Sequence, residues 1–226
     1  MSIIIDGKKV SAECRKIIKE ETAILKTAGI IPGLAVIIVG TDPASQVYVR
    51  NKCKACEEVG FNSFKYELNE DTSEEALLAL INELNSNPAV NGILVQMPLP
   101  KHISTERVMR AISPSKDVDA FHPENVGRLV AGTQVFNPCT PAGIMKILEY
   151  YNISVEGKHC VIVGRSDIVG KPMMHLLLQA NGTVTICHSK TKYLPATCRD
   201  ADILITAIGK PKFFDQSYVK PGAVVI

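Results

Sequence analysis

Short apolar runs alternate with stretches of helical punctuation along almost the whole chain, and that alternation leaves few folds open. LAVIIVG (34–40), NSFKYEL (62–68), NGILVQM (91–97) and the segments 159–163, 183–187 and 201–208 read as strands. Between them lie helix signals. Asp42 is placed to cap a helix that has Pro43 at its first position, runs over 44–59 and stops at Gly60. Further helices are predicted over 73–85, 104–112, 141–151 and 170–180. Strands separated by helices imply βαβ units, and therefore parallel sheets covered by helices.

Residues 113–140 break the rhythm, with prolines and glycines and no strong period, and are expected to be irregular. A boundary near 139 follows. The predicted fold class is α/β with two domains built on parallel sheets: a catalytic domain over 1–139, then a Rossmann-like dinucleotide-binding domain over 140–226, with a cleft between them. The closing PGAVVI reads as a turn and the first half of a buried strand. A strand that stops inside an apolar run leaves backbone groups to be paired, so the sequence is expected to end short of its domain's natural limit.

Composition narrows the function. The 226 residues are 46% hydrophobic and 21% charged, enough to bury the core of two modest domains. The net charge of +2 comes from interspersed signs, which argues against nucleic acid as a partner. Apolar runs fall short of the roughly 18 residues of a membrane span. MSIIIDGKK turns polar too soon for a signal peptide. Seven scattered cysteines suit reduced thiols and a cytoplasmic setting rather than a disulfide scaffold. Cys53 and Cys56 form C-x-x-C, which has a redox or zinc reading. The plainer reading is two small residues packed on a helix.

The chemistry concentrates in KHCVIVGRSDIVGKP (158–172). A buried strand ending at Gly164 turns into a helix opened by Gly170. Such a turn offers free backbone N–H groups and the positive end of a helix dipole, which suits a phosphate. The run is G-x-S-x-x-x-G rather than G-x-G-x-x-G, and Pro172 after Lys171 removes the hydroxyl that a Walker A loop needs. A tight turn with no ligand is the bland alternative. Arg165 and Ser166, with HSKT (188–191) after the next strand, favour a 2′-phosphate. The carboxylate that would grip a bare ribose is missing there.

The first half supplies a second constellation. Tyr48 and Lys52 share one helix face just past a strand's carboxyl end, and Gln96 sits at the carboxyl end of another strand. Ligands of open α/β sheets bind beyond these ends. Asp119 lies in the irregular segment. Each also has a structural reading: an exposed helix face, a strand-end amide satisfying backbone, a turn former.

YVRNK (48–52), GILVQMPLP (92–100), KDVDAFHPENVGRL (116–129), PCTPAGI (138–144) and VIVGRSDIVGKPM (161–173) together resemble the bifunctional methylenetetrahydrofolate dehydrogenase/methenyltetrahydrofolate cyclohydrolases, in order and along the whole chain. The resemblance implies that Lys52 is the central catalytic amine, that Tyr48 stacks on or near the folate, that Gln96 hydrogen-bonds to the lysine, and that Asp119 holds the pterin-like ring. It places Thr140, Gly164, Arg165, Ser166 and Ser189 on the NADP side, with Ile208 as a backbone contact. Gly170 joins them as the opener of the phosphate-facing helix. It implies tetrahydrofolate derivatives as substrates, NADP as cofactor and a homodimer; no metal is expected, and charge and hydropathy predict no nucleic-acid or membrane partner. One departure is local: Ala120 stands where the family has glycine, a strained position if its φ is positive. The other is that the family continues past residue 226.

The expected chemistry is oxidation of 5,10-methylenetetrahydrofolate to the methenyl form, then hydrolysis to 10-formyltetrahydrofolate. Hydride loss from a carbon between two nitrogens mainly needs orientation. Ring opening by water needs proton transfer near neutral pH, the task implied for Lys52. Two other readings stand beside this one. A nucleotide sensor without chemistry leaves Tyr48, Lys52, Gln96 and Asp119 without a role. An ordinary Rossmann dehydrogenase of amino or hydroxy acids leaves the whole first-half motif set unexplained.

Overall fold

Strand β1 (Gly33–Val39) is apolar at nearly every position because it is covered on both faces; Ala35, Val36, Ile37 and Ile38 are fully buried. The computed structural model describes residues 3–226 and divides them into two compact units, Asp6–Asn125 and Val126–Ile226, the latter with the described residues up to Ile5.

In the first unit β1 is the middle strand. It pairs in parallel with β2 (Asn62–Leu68) on one side and β3 (Gly92–Val95) on the other, giving the order β2-β1-β3. Helix α1 (Gly7–Thr27) starts at Asp6, whose carboxylate accepts from the Lys8 and Lys9 amides. Helix α2 (Pro43–Val59) behaves as the sequence predicts. Asp42 caps it by accepting from Ser45 N at 2.8 Å, Pro43 opens it, and Gly60 ends it with φ +85°. That hydrogen-bonded cap holds the Asp42 carboxyl below its ordinary range. Ser73 caps α3 (Glu74–Ser86), and Ser104 caps α4 (Thr105–Ala111). Leu77, Ile81 and Leu84 of α3 pack with Ile37, Ile93 and Val108 into one core layer. Val36, Ile38, Val49 and Leu94 form another.

The second unit repeats the plan. Strand β4 (His159–Val163) lies between β5 (Thr183–Cys187) and β6 (Ile203–Thr206). All pairings are parallel, and β7 (Val224–Val225) is added outside β6. Helix α6 (Cys139–Tyr150) and α7 (Gly170–Gln179) contribute Leu148, Met173, Leu176 and Leu177 to a core with Ile162, Ile203 and Ile205. A short helix α8 (Leu194–Arg199) buries Cys198 against Val161, Val163 and Leu204.

Three expectations change. The stretch 113–140 is not irregular throughout, for it contains helix α5 (Pro123–Ala131). The apolar face of α5 puts Leu129 into the core of the second unit, so the units divide inside that helix rather than near 139. The strand expected over 201–208 is confined to β6, which leaves Ala207 and Ile208 in the loop beyond its carboxyl end. Ala120 does have the positive φ feared for it, +57°, and is buried.

Candidate active site

In the first unit, Lys52 and Tyr48 fall one helical turn apart on α2, beyond the carboxyl end of β1. The Lys52 amine donates to Gln96 Oε1 at 3.1 Å. Gln96 follows β3 directly, and its amide N–H still pairs with Ile37 O on β1 at 2.8 Å. Its side-chain NH₂ donates to Met97 O at 2.8 Å, which turns the carbonyl oxygen toward the lysine. The lysine is therefore the donor in this pair. The bond does not run from Gln96: an ammonium has hydrogens to give and no lone pair to receive, and the Gln96 NH₂ is engaged by Met97 O. Lys52 is half-buried and Tyr48 is 62% exposed. Asp119 is half-buried in the loop after β3's partner segment, where Ile93 N donates to Lys116 O at 2.7 Å.

In the second unit the Gly164 turn is tight for steric reasons. Gly164 has φ +134°, and a Cβ there would lie 2.4 Å from Ala207 O; a Cβ on Gly170 would lie 2.1 Å from Gly164 O. Only glycines let strand, turn and helix approach this closely. Helix α7 has no side-chain cap at Val169. Instead Ser166 Oγ accepts from Val169 N at 3.2 Å and Gly170 N at 3.3 Å. A cavity of about 350 Å³ lies beside the turn, lined by Gly164, Arg165, Ser189 and Ile208 and also by His188, Leu194, Lys210 and Phe213. Arg165, Ser189 and Lys210 are exposed at its mouth. The Lys210 amine lies 5.9 Å from the centre of the Phe213 ring. Ser166 and Gly170 shape the turn without lining the cavity, and Thr140 is exposed in the first turn of α6, away from its lining.

Of the lining, His188 falls in the HSKT motif without a role of its own, and Lys210 and Phe213 were missed. The position of Lys210, in the loop past the carboxyl end of the parallel strand β6, is the signal that could have found it. The C-x-x-C pair packs on α2, with both thiols free; burial pushes the Cys56 thiol above its ordinary range. Among the described residues no three His, Cys, Asp or Glu side chains gather as a metal site, and no helix is long and apolar enough to cross a membrane.

Two family models match consecutive parts of the chain. The tetrahydrofolate dehydrogenase/cyclohydrolase catalytic domain matches residues 5–119, and the NAD(P)-binding domain of the same enzymes matches residues 138–226. The chain belongs to the tetrahydrofolate dehydrogenase/cyclohydrolase family. A bifunctional protein FolD of Agathobacter rectalis is 59% identical over 226 residues, covering all of this chain and 81% of that protein. The FolD crystal structure from Campylobacter jejuni superposes with a TM-score of 0.96 at 50% identity, over 99% of this chain and 79% of that one. The enzyme of Trypanosoma brucei, solved with NADP cofactor and an inhibitor, gives 0.94 at 37% identity over 99% and 77%. A tetrahydrofolate dehydrogenase/cyclohydrolase is an enzyme of one-carbon metabolism with two activities: oxidation of 5,10-methylenetetrahydrofolate and hydrolysis of the methenyl product to 10-formyltetrahydrofolate. Membership sets aside the sensor and the amino- or hydroxy-acid dehydrogenase.

Proposed function

We propose that Lys52 moves the protons of the hydrolytic step, held for that task by Gln96. The observation that carries the reading is the 3.1 Å bond from the Lys52 amine to Gln96 Oε1. It joins a helix and a strand end, so the amine is oriented by two elements of one unit rather than swinging on its stem. Tyr48 offers the exposed aromatic face on which a planar ring stacks. Asp119 supplies an acceptor for ring N–H groups. These groups share the first unit, which takes the folate.

NADP is the cofactor, as in the trypanosomal relative, and supplies the hydride acceptor when bound. The second unit fits it on its own geometry: two glycines whose Cβ positions are filled by backbone, a turn from strand into helix, and a cavity with a guanidinium and a hydroxyl at its mouth. Gly164 and Gly170 let the backbone come close. Arg165, Ser166 and Ser189 bind the 2′-phosphate, Ile208 contributes backbone, and Thr140 completes the set from α6. On this reading the folate-binding domain is residues 1–139 as a functional segment, and the NADP-binding domain 140–226.

The reading extends to the setting. Seven free thiols fit a reducing cytoplasm. The partners are tetrahydrofolate derivatives, with no nucleic acid and no membrane, and a second copy joined through an edge strand of the second unit. Light scattering of the purified enzyme reads the dimer mass directly. The catalytic reading is tested by Lys52→Met: methenyl-folate hydrolysis is lost while NADP binding is kept, and hydrolysis at the wild-type rate refutes the assignment.

A further inference from the structure

Four polar or charged residues are buried among the described residues, and two of them face each other in the loop that carries Asp119. Asp117 is 3% exposed and Asn125 is 2% exposed. Asp117 Oδ2 accepts from Asn125 Nδ2 at 2.9 Å and from the His122 amide at 2.8 Å. The second hydrogen of the Asn125 amide goes to Pro114 O, also at 2.9 Å. One carboxylate thereby closes residues 114–125 into a ring. Both of its donors are uncharged. A buried carboxylate held only by neutral donors is a costly way to fasten a loop, and an uncharged side chain would suffice for fastening alone.

The ring is also tied to the rest of the first unit. Asp117 bridges Ile93 on β3, the strand that ends at Gln96. The neighbouring Lys116 amine donates to Leu84 O at 3.0 Å and Asn87 O at 2.8 Å, at the carboxyl end of α3. Ala120 N donates to Asp117 O at 3.2 Å and accepts φ +57° to do so. The buried groups therefore flank Asp119, the half-buried carboxylate between them, and register it against the strand that presents Gln96 to Lys52.

We propose that the Asp117–Asn125 pair is a positioning device for the folate reaction: it acts through Asp119, fixing that carboxylate relative to the Lys52–Gln96 pair. This rests on the reading of Asp119 as a folate contact. Asp117→Asn replaces one acceptor oxygen by an amide that confronts the Asn125 amide, and Asn125→Ala removes one of the two donors while leaving the carboxylate.

The test is a double-mutant cycle on folate kinetics, measured well below the melting temperature of each variant. Asp117→Asn and Asn125→Ala are expected to raise KM for methylenetetrahydrofolate by about tenfold or more, a loss of a charge-assisted contact, with Kd for NADP unchanged. In an Asp119→Ala background the same two substitutions are expected to add nothing. If they lower Tm but leave the folate KM at the wild-type value, the pair is merely structural and the inference falls. If their effect persists undiminished without Asp119, they do not act through it, and the inference falls likewise. If Asp119→Ala alone leaves folate KM unchanged, the reading of Asp119 fails, whatever the pair does. Should Asp117→Asn not fold, Asn125→Ala alone decides the matter by the same two measurements.

Discussion

The Lys52 amine donates to the side-chain carbonyl of Gln96, 3.1 Å away, and the amide of Gln96 is locked by the Met97 carbonyl behind it. The acceptor cannot rotate away without losing its own bond. Lys52→Met is expected to lower cyclohydrolase turnover by about a thousandfold, within the range of a lost proton-transfer group. Gln96→Ala removes the orientation but not the amine and should cost less, about ten- to a hundredfold. Stopped-flow absorbance of methenyl-folate decay reads both, and equal effects would mean that Gln96 does more than orient.

Cofactor choice is predicted to rest on the turn after β4. Arg165→Ala should lower kcat/KM for NADP by about ten- to a hundredfold, the equivalent of one charged hydrogen bond. The value for NAD should stay within about twofold. A parallel loss with both cofactors would place Arg165 on the shared pyrophosphate instead.

Ala120 has a backbone conformation that L-residues other than Asn and Asp avoid, at a cost of roughly 1–2 kcal/mol. Ala120→Gly removes that strain, partly offset by the greater freedom of glycine in the unfolded chain. Net stabilisation of about 0.5–1 kcal/mol is expected, a rise in Tm of about 1–4 °C for a chain of this length. Calorimetry checks it.

Gly170→Ala should act in the opposite sense. Its Cβ would fall 2.1 Å from Gly164 O, so α7 must move off the turn. Destabilisation of about 1–3 kcal/mol is expected from the overpacking, together with weakened NADP binding. The first is read by urea denaturation and the second by fluorescence titration.

Burial pushes the Cys160 and Cys198 thiols up to about 11. In the unfolded chain such thiols ionise nearer 9, so the folded state holds protons that the unfolded state has lost. Stability is full below pH 9 and falls as pH rises toward 11. Alkaline denaturation should weaken in a Cys160→Ala/Cys198→Ala variant. The same burial predicts that a thiol reagent at pH 8 modifies the exposed Cys139 rapidly and these two only on unfolding.

Much of this was legible because signals agreed at several levels. The limits of β4 and β5 coincide with β-branched runs and those of β2 with the alternation of NSFKYEL, each bounded by turn residues, and α2 starts and stops at Asp42 and Gly60, where its caps stand. Helix α1 was not predicted, although Val10, Cys14, Ile17, Ile18 and Leu25 recur at helical spacing; what that pattern does not tell is that only Val10 and Thr22 are buried, while Ile17, Ile18 and Ile24 are exposed. Helix α5 hid among prolines and glycines. In the site, strand-end logic led to Gln96, but the orientation of its amide depended on a carbonyl one residue away. Asp117 was invisible for a different reason: in KDVD two aspartates look alike, and only the fold buries one and leaves the other half-exposed.

The hydroxyl of Ser166 has already spent both lone pairs on the amides of Val169 and Gly170. It has a proton left to give and nothing with which to receive. Toward a phosphoryl oxygen that is a complete match. A sugar hydroxyl can receive that proton as well, so on the proposed reading Ser166 fixes only the sense of the bond, and telling the two dinucleotides apart falls to the charge of Arg165.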